Sequence, residues 1–188
     1  MDLIYNEIKT TQAAAYILQK RSGVEYYLKL IKLLYLADRE AINRLGLPIS
    51  QDRYVSMGKG PVLSITYDLI SSEPNPENAS YWHTYISEPS GYKVNLLNDP
   101  GVGQLSLAET EILDEIINTY GKFDRWALVH LTHHLPEYQD PGNSSIPISI
   151  EDILTAIKKT EEEKEQIRHK IEFAAGIESV FSGDCINN

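Results

Sequence analysis

A chain of 188 residues with 27 Asp and Glu against 17 Lys and Arg carries a formal net charge of −10, a field that repels nucleic-acid phosphates and excludes direct nucleic-acid binding from the expectations. Its 42% hydrophobic and 23% charged residues fit one globular domain with room for an appendage, long enough to bury roughly two-thirds of its unfolded surface. The single cysteine, Cys185, excludes an intramolecular disulfide and a cysteine-based zinc cluster, and no apolar run approaches the ~18 residues of a membrane span. The opening MDLIYNEIKT lacks an apolar export core, so a cytoplasmic protein is expected.

In chain order, residues 1–9 read as a short arm before a helix capped by Thr10 or Thr11, with Ala14, Ile17 and Leu18 inward and Gly23 at its end. From Tyr26 to Leu45, residues Leu30, Leu33, Leu34, Ala37 and Ala41 recur at the three-and-four spacing of one helical face, while Lys29, Lys32, Arg39, Glu40 and Arg44 occupy others. This is the central helix of about five turns. Glu25 stands at its start, Gly46 at the left-handed stop and Pro48 beyond. Arg53–Met57 reads as extended, Gly58–Gly60 as a hinge, and Pro61 as the first residue of a second helix running to Ile70.

The polar run SSEPNPENAS over 71–80 is a surface loop. Tyr81–Ile86 is aromatic and branched enough for a strand, paired across a turn with Tyr92–Leu96, and this hairpin is expected to join the Tyr54 strand in one small sheet. Ser106 and Glu109 form a capping box for a helix with Ile112, Leu113, Ile116, Ile117 and Tyr120 on one face. Asp124 caps the next helix, which Trp126, Leu128, Val129 and Leu131 make apolar on most sides and thus central; Pro136 ends it. Ser149 and Asp152 begin a stripe of Ile150, Ile153, Leu154 and Ile157, and TEEEKEQIRHKIEF over 160–173 is either a solvated helix or a detachable arm. The fold class expected is α+β, predominantly helical, a helical core around the central helix with a small antiparallel sheet or hairpin. Residues 1–140 form the globular domain and 141–188 a helical extension and tail.

Two ordered motifs carry a family resemblance. Leu30, Lys32, Leu33, Leu34, Tyr35, Ala37 and Asp38 are followed at the expected separation by Tyr54, Gly60, Pro61, Val62, Ser64 and Tyr67. The pattern resembles the Panacea domain, also called the SocA-like antitoxin domain, in which L-x-K-L-L-Y-x-A-D precedes a G-P-V segment and a helix with S-x-x-Y. The likeness reaches back to Ala13–Leu18 and forward to Leu131, Thr132 and His133; Tyr138 stands where family members often carry Trp, and the last 50 residues show no likeness. The resemblance implies an antitoxin that neutralises a co-expressed protein toxin, encoded by an adjacent gene, through direct contact. An adaptor delivering that toxin to a protease is a variant within the same class. A phage-associated or regulatory interaction protein without a toxin partner is the remaining reading; no cofactor, no membrane contact and a possible homo-oligomer in the complex are expected.

The family-motif residues Lys32, Tyr35, Asp38, Arg53, Tyr54, Gly60, Pro61, Val62, Ser64, Tyr67, Thr132 and His133 are expected to serve structure or partner binding. Asp38 would tie down the loop that contains Arg53 or cap a neighbouring helix, and an ion pair with Arg53 is compatible with that reading. Candidate partner anchors are Tyr81, Trp82, Tyr85 and Tyr92, since hairpin aromatics must alternate outward. An acidic surface attracts a basic partner and speeds encounter. Three enzyme-like readings are weaker. Gly58-Lys59-Gly60-Pro61 lacks the phosphate-loop spacing. His130 and His134 have helical metal spacing, but Leu131 stands where the zincin motif needs Glu, and no separate third ligand is evident. A small hydrolase using His133 with a carboxylate or a metal is the alternative from a different class.

Overall fold

The computed structural model describes residues 3–73 and 80–183, with side chains described as far as 176. Most of the polar loop expected over 71–80 lies outside the described residues, as does Cys185. The fold is α+β and predominantly helical, as expected.

Helix α1 (Glu7–Lys20) is capped by Asn6, whose side chain accepts from the Lys9 amide at 2.9 Å. Thr10 and Thr11, the expected caps, instead lie inside the helix and are buried, and their hydroxyls donate back to the Asn6 and Glu7 carbonyls. An Asn is as good a cap as Thr, and the threonine hydroxyls are satisfied within the helix. Strand β1 (Val24–Tyr26) leads into α2 (Tyr27–Leu45), which stops at Gly46 with φ 74°. Every residue from Leu28 to Asp38 is buried, so Lys29 and Lys32 face protein and not solvent. The helix is enclosed because neighbouring elements pack around it on nearly all sides.

Strands β2 (Tyr54–Met57) and β3 (Gly60–Leu63) form an antiparallel hairpin with Met57 opposite Gly60, and α3 (Ser64–Ser71) follows. Pro61 therefore sits in a strand and not at a helix start. β3 is an edge strand, where a residue without an amide proton interrupts no further ladder. The α3 terminus is held from outside: the Asp52 carboxylate accepts from the Ile65 and Thr66 amides, both at 2.9 Å, and from the Thr66 hydroxyl at 2.7 Å.

The expected 81–96 hairpin is not formed. Tyr81–Tyr85 is a short helix, α4, capped by Ser80, with the Tyr81 and Tyr85 rings 4.7 Å apart. A five-residue apolar run does not by itself distinguish helix from strand, and here the cap and the burial of Trp82 against α1 decide. Strand β4 (Lys93–Asn95) pairs with β1 in register Glu25 to Val94, and two isolated bridges, Ile86 with Leu96 and Ser90 with Lys93, are what remains of the hairpin among the described residues. Nor does β4 join the Tyr54 strand, which lies between β3 and β5 (Ile146–Ile148).

Helix α5 (Leu107–Tyr120) has the expected capping box at Ser106 and Glu109. Helix α6 (Arg125–His133) is capped by Asp124 but is peripheral: Leu128 and Thr132 are buried while Trp126 is 54% exposed. Its apolar residues are spread around the helix, and one face meets α2 and β3. Helix α7 (Ile150–Ala156) opens with the Ser149–Asp152 box, and α8 (Glu161–Gly183) places Ile167 and Ile171 in the common core. Lys170 on α8 donates to the Leu45 carbonyl at 2.6 Å, satisfying an orphan acceptor at the end of α2. Among the described residues no helix is long and apolar enough to cross a membrane.

Candidate functional site

The polar residues of α2 fasten several separate segments. Lys32, fully buried, donates from Nζ to the Pro61 carbonyl at 2.6 Å. Gly60, with φ 92°, fits beside it because it has no side chain: a Cβ there would lie 2.7 Å from Thr132 Oγ1, 2.9 Å from Lys32 Nζ and 3.2 Å from His133 Cδ2. Thr132 in turn donates to the Leu128 carbonyl at 2.9 Å, and the His133 ring stacks on Tyr138 at 4.6 Å. The structure thus brings Lys32, Gly60, Pro61, Thr132 and His133 to one point.

Burial holds the Lys32 amine down from its ordinary 10.5 to about 7, and burial, then the nearby Lys32, lowers His133 as well. A lysine near neutrality is the usual mark of a base or nucleophile. This one is enclosed on all sides and bonded to a backbone carbonyl, so its arrangement holds the β2–β3 hairpin against α2 and α6.

One turn further along, the Tyr35 hydroxyl donates to Glu137 Oε1 at 3.1 Å, and Arg39 Nε reaches the same oxygen at 2.7 Å. Glu137 therefore serves α2 rather than a histidine cluster, a role its distance along the chain concealed. Asp38 accepts from the Ile49 and Ser50 amides, each at 3.0 Å, from the Tyr54 hydroxyl at 3.0 Å and from the Ser50 hydroxyl. Burial raises its carboxyl to about 6. It ties down the loop before Arg53, whose own side chain is exposed and forms no ion pair with it among the described residues. Arg53 instead lines a broad surface recess of about 920 Å³ beside β5 and α8. Val62 is buried, Tyr67 is half-buried against the core, and the Ser64 amide donates to the Arg53 carbonyl at 2.7 Å.

His130 and His134 lie ring to ring at 4.5 Å on the surface, and among the described residues no three His, Cys, Asp or Glu side chains gather as a metal site.

The candidate partner anchors separate sharply. Trp82 is fully buried, with its amide on Glu7 Oε1 at 2.9 Å, and is a core residue. Tyr81 and Tyr85 are half-buried. Tyr92 is 67% exposed, at the tip of a tight turn in which Gly91 and Tyr92 both take left-handed φ, 58° and 65°. Reciprocal bonds between Ser90 and Lys93 close that turn, the geometry of a type I′ hairpin loop.

Around Tyr92 the fold assembles residues that lie far apart in sequence. The Arg125 guanidinium stands 4.2 Å from the Tyr26 ring, 5.3 Å from Trp126 and 5.7 Å from Tyr92. Lys93 lies 4.9 Å from Tyr26, and Lys59, from the β2–β3 turn, 5.7 Å from Trp126. Between them is a recess of about 230 Å³ lined by Tyr27, Leu28, Lys59, Tyr92, Arg125 and Trp126. Aromatic residues and arginine are the side chains most enriched at binding hot spots. Of this platform the sequence alone indicates Tyr92.

The family profile described as Antitoxin SocA-like, Panacea domain, matches residues 30–139. That span opens within α2, closes just beyond Tyr138, and contains Lys32, Asp38, Gly60, Thr132 and Glu137. No curated protein and no solved structure matches the chain significantly. Because the profile covers more than half of the chain, the protein belongs to the SocA-like Panacea-domain antitoxin family.

Proposed function

We propose that this protein is the antitoxin of a toxin–antitoxin pair and that it neutralises a co-expressed protein toxin by direct binding in the cytoplasm. The observation that carries the reading is the family match together with the inward placement of its polar motif side chains. Lys32, Tyr35, Asp38 and Thr132 are spent on holding elements together, which leaves the outer surface to engage a partner. The role is non-enzymatic on this view, since the group with the strongest chemical potential, the Lys32 amine, is closed off from any substrate. Residues 1–140 are assigned to the Panacea-like unit and 141–188 to an extension; the contacts of β5, Ile153, Leu154, Ile167 and Ile171 with the common core support that reading for the described residues.

The test is growth of cells expressing the neighbouring open reading frame with and without this chain, followed by co-purification. Growth arrest that this chain relieves, with co-elution of the two proteins, is expected. A toxic neighbour that the chain neither relieves nor binds refutes the proposal.

A further inference from the structure

The chain is strongly acidic overall, yet Lys59, Lys93 and Arg125 converge on one aromatic platform and none of them forms an ion pair among the described residues. Elsewhere cations are mostly matched: Lys9 with Glu109, Arg39 with Glu137, Arg44 with Glu115, Arg168 with Glu151. Arg125 is the sharpest case. Three rings surround its guanidinium, and it makes no hydrogen bond among the described residues, so its planar edge of N–H donors is unspent. A ring-flanked guanidinium is pre-organised for two parallel bonds to a carboxylate, because stacking fixes its plane without using its donors.

Tyr92 completes the platform: its φ of 65° belongs to the second central position of the type I′ turn, where the residue is 67% exposed. Here the Tyr27 amide holds the Tyr92 carbonyl at 3.0 Å, which sets the ring at the rim of the recess, 6.5 Å from the Tyr27 ring.

We infer that the platform of Tyr26, Tyr27, Tyr92, Arg125 and Trp126, flanked by Lys59 and Lys93, is the docking point for a protein segment that presents a carboxylate beside an apolar or aromatic side chain. The inference rests on the antitoxin reading, and the occupant is an acidic segment of the toxin. The carboxylate meets Arg125 with Lys59 or Lys93 in support, and its apolar neighbour enters the recess against Tyr27, Leu28 and Trp126. A single-stranded nucleic acid also stacks on aromatic rings beside cations. The net charge of −10 opposes such a polyanion over its whole length, whereas one or two carboxylates on an otherwise neutral or basic partner meet only the local cations. The toxin so described is basic enough overall to be drawn to the acidic antitoxin, with an acidic residue at the contact itself.

The experiment uses the full chain and the neighbouring gene's product in a catalytically silenced form. Affinity is measured for the wild type, Arg125→Ala, the double variant Lys59→Glu/Lys93→Glu, and Leu107→Ala, at an exposed apolar residue of α5, as a surface control outside the platform. A loss of at least ~30-fold for Arg125→Ala, a comparable loss for the double variant, and little change for Leu107→Ala are expected, as for a hot-spot truncation. Rising salt should weaken the wild type and flatten its difference from Arg125→Ala. In parallel, a synthetic peptide with a single Glu beside Leu in an otherwise neutral sequence and an oligothymidylate are titrated while tryptophan fluorescence is followed, Trp126 being the exposed emitter and Trp82 the buried one. The acidic peptide should perturb it in the wild type and not in Arg125→Ala. Unchanged toxin affinity in both platform variants overturns the inference while leaving the antitoxin reading intact, and preferential binding of the oligothymidylate overturns it in favour of nucleic acid. Failure of the wild type to bind the toxin, with no response to the acidic peptide, refutes both.

Discussion

Replacing Gly60 with alanine tests whether the point where the family motifs meet is as tight as its geometry indicates. Two costs combine. A Cβ at φ 92° strains the backbone by about 1–2 kcal/mol. The same atom would sit 2.7 Å from Thr132 Oγ1 and 2.9 Å from Lys32 Nζ, and neither can withdraw freely. Thr132 is short, β-branched and bonded to the Leu128 carbonyl; Lys32 is fully buried and, if pushed off the Pro61 carbonyl, would hold an unpartnered amine in the core. Overpacking of this kind costs about 1–3 kcal/mol. The sum is roughly 2–5 kcal/mol, read as a shift in urea midpoint followed by far-ultraviolet circular dichroism. Gly91→Ala supplies the control, because Gly91 also has positive φ, 58°, but a Cβ added there would meet nothing within 4 Å. It should lose only the strain, about 1 kcal/mol. If Gly60→Ala proves no worse than Gly91→Ala, the contact with Lys32 and Thr132 is not what makes glycine necessary, and the reasoning fails.

Burial that lowers Lys32 to about 7 means that above this pH the unfolded chain still holds a proton the folded one has shed, so stability rises with pH up to about 10.5. The wild type should therefore gain on Lys32→Met, by as much as about 5 kcal/mol between pH 7 and 10.5, in paired urea titrations; a flat difference refutes the burial argument. Asp38 has the opposite slope: its carboxyl is raised from 3.8 to about 6, so its contribution is full below pH 3.8 and is lost as pH rises through 6. Relative to Asp38→Asn, the wild type should lose up to about 3 kcal/mol across that window in the same measurement, and a constant difference excludes it. Ending the chain after Lys159 removes Ile167 and Ile171 from the core, a loss of roughly 3–6 kcal/mol on their burial alone. A truncated protein whose thermal midpoint is unmoved would restore the detachable-arm reading of α8.

What is legible in the sequence follows from local rules. The α2 stripe of Leu30, Leu33, Leu34, Ala37 and Ala41 is buried, Gly46 is left-handed, and the Ser106 and Ser149 boxes both form, since each depends on residues a turn or two apart. Lys32 breaks the pattern because its partner, the Pro61 carbonyl, is remote, and Lys29 adds the remote Gly121 carbonyl at 2.9 Å to its local pair with Glu25 at 3.2 Å. A helix that meets neighbours on nearly every face has no solvent side on which to place polar residues, and helical periodicity does not reveal that. The Tyr81–Tyr85 segment is too short for either period to dominate, although Ser80, its cap, stands in plain view. Of the platform only Tyr92 is visible in the sequence. Tyr26, Lys59, Arg125 and Trp126 come from three other segments, and Trp126 reads as core because apolar residues surround a helix that is in fact half exposed.

On the proposed reading the buried motif residues and the exposed platform have separate roles, and the β2–β3 turn joins them. Lys32, Asp38, Tyr54, Gly60, Thr132 and Tyr35 carry the family resemblance and face inward, whereas Arg125, Trp126, Tyr92 and Lys93 lie outside the motif and face out. Lys59 is where the two meet: it stands beside Gly60, so the register that Lys32 imposes through Pro61 also places the Lys59 ammonium over Trp126. Damage to the inner cluster should then reach the partner through that turn, lowering stability and affinity together. Damage to the platform should lower affinity alone, and comparing urea midpoints with toxin affinities across Lys32→Met, Gly60→Ala, Arg125→Ala and Tyr92→Ala separates the two. If Arg125→Ala lowered stability as much as Gly60→Ala does, the platform would be part of the scaffold, and the division between inner and outer residues would collapse.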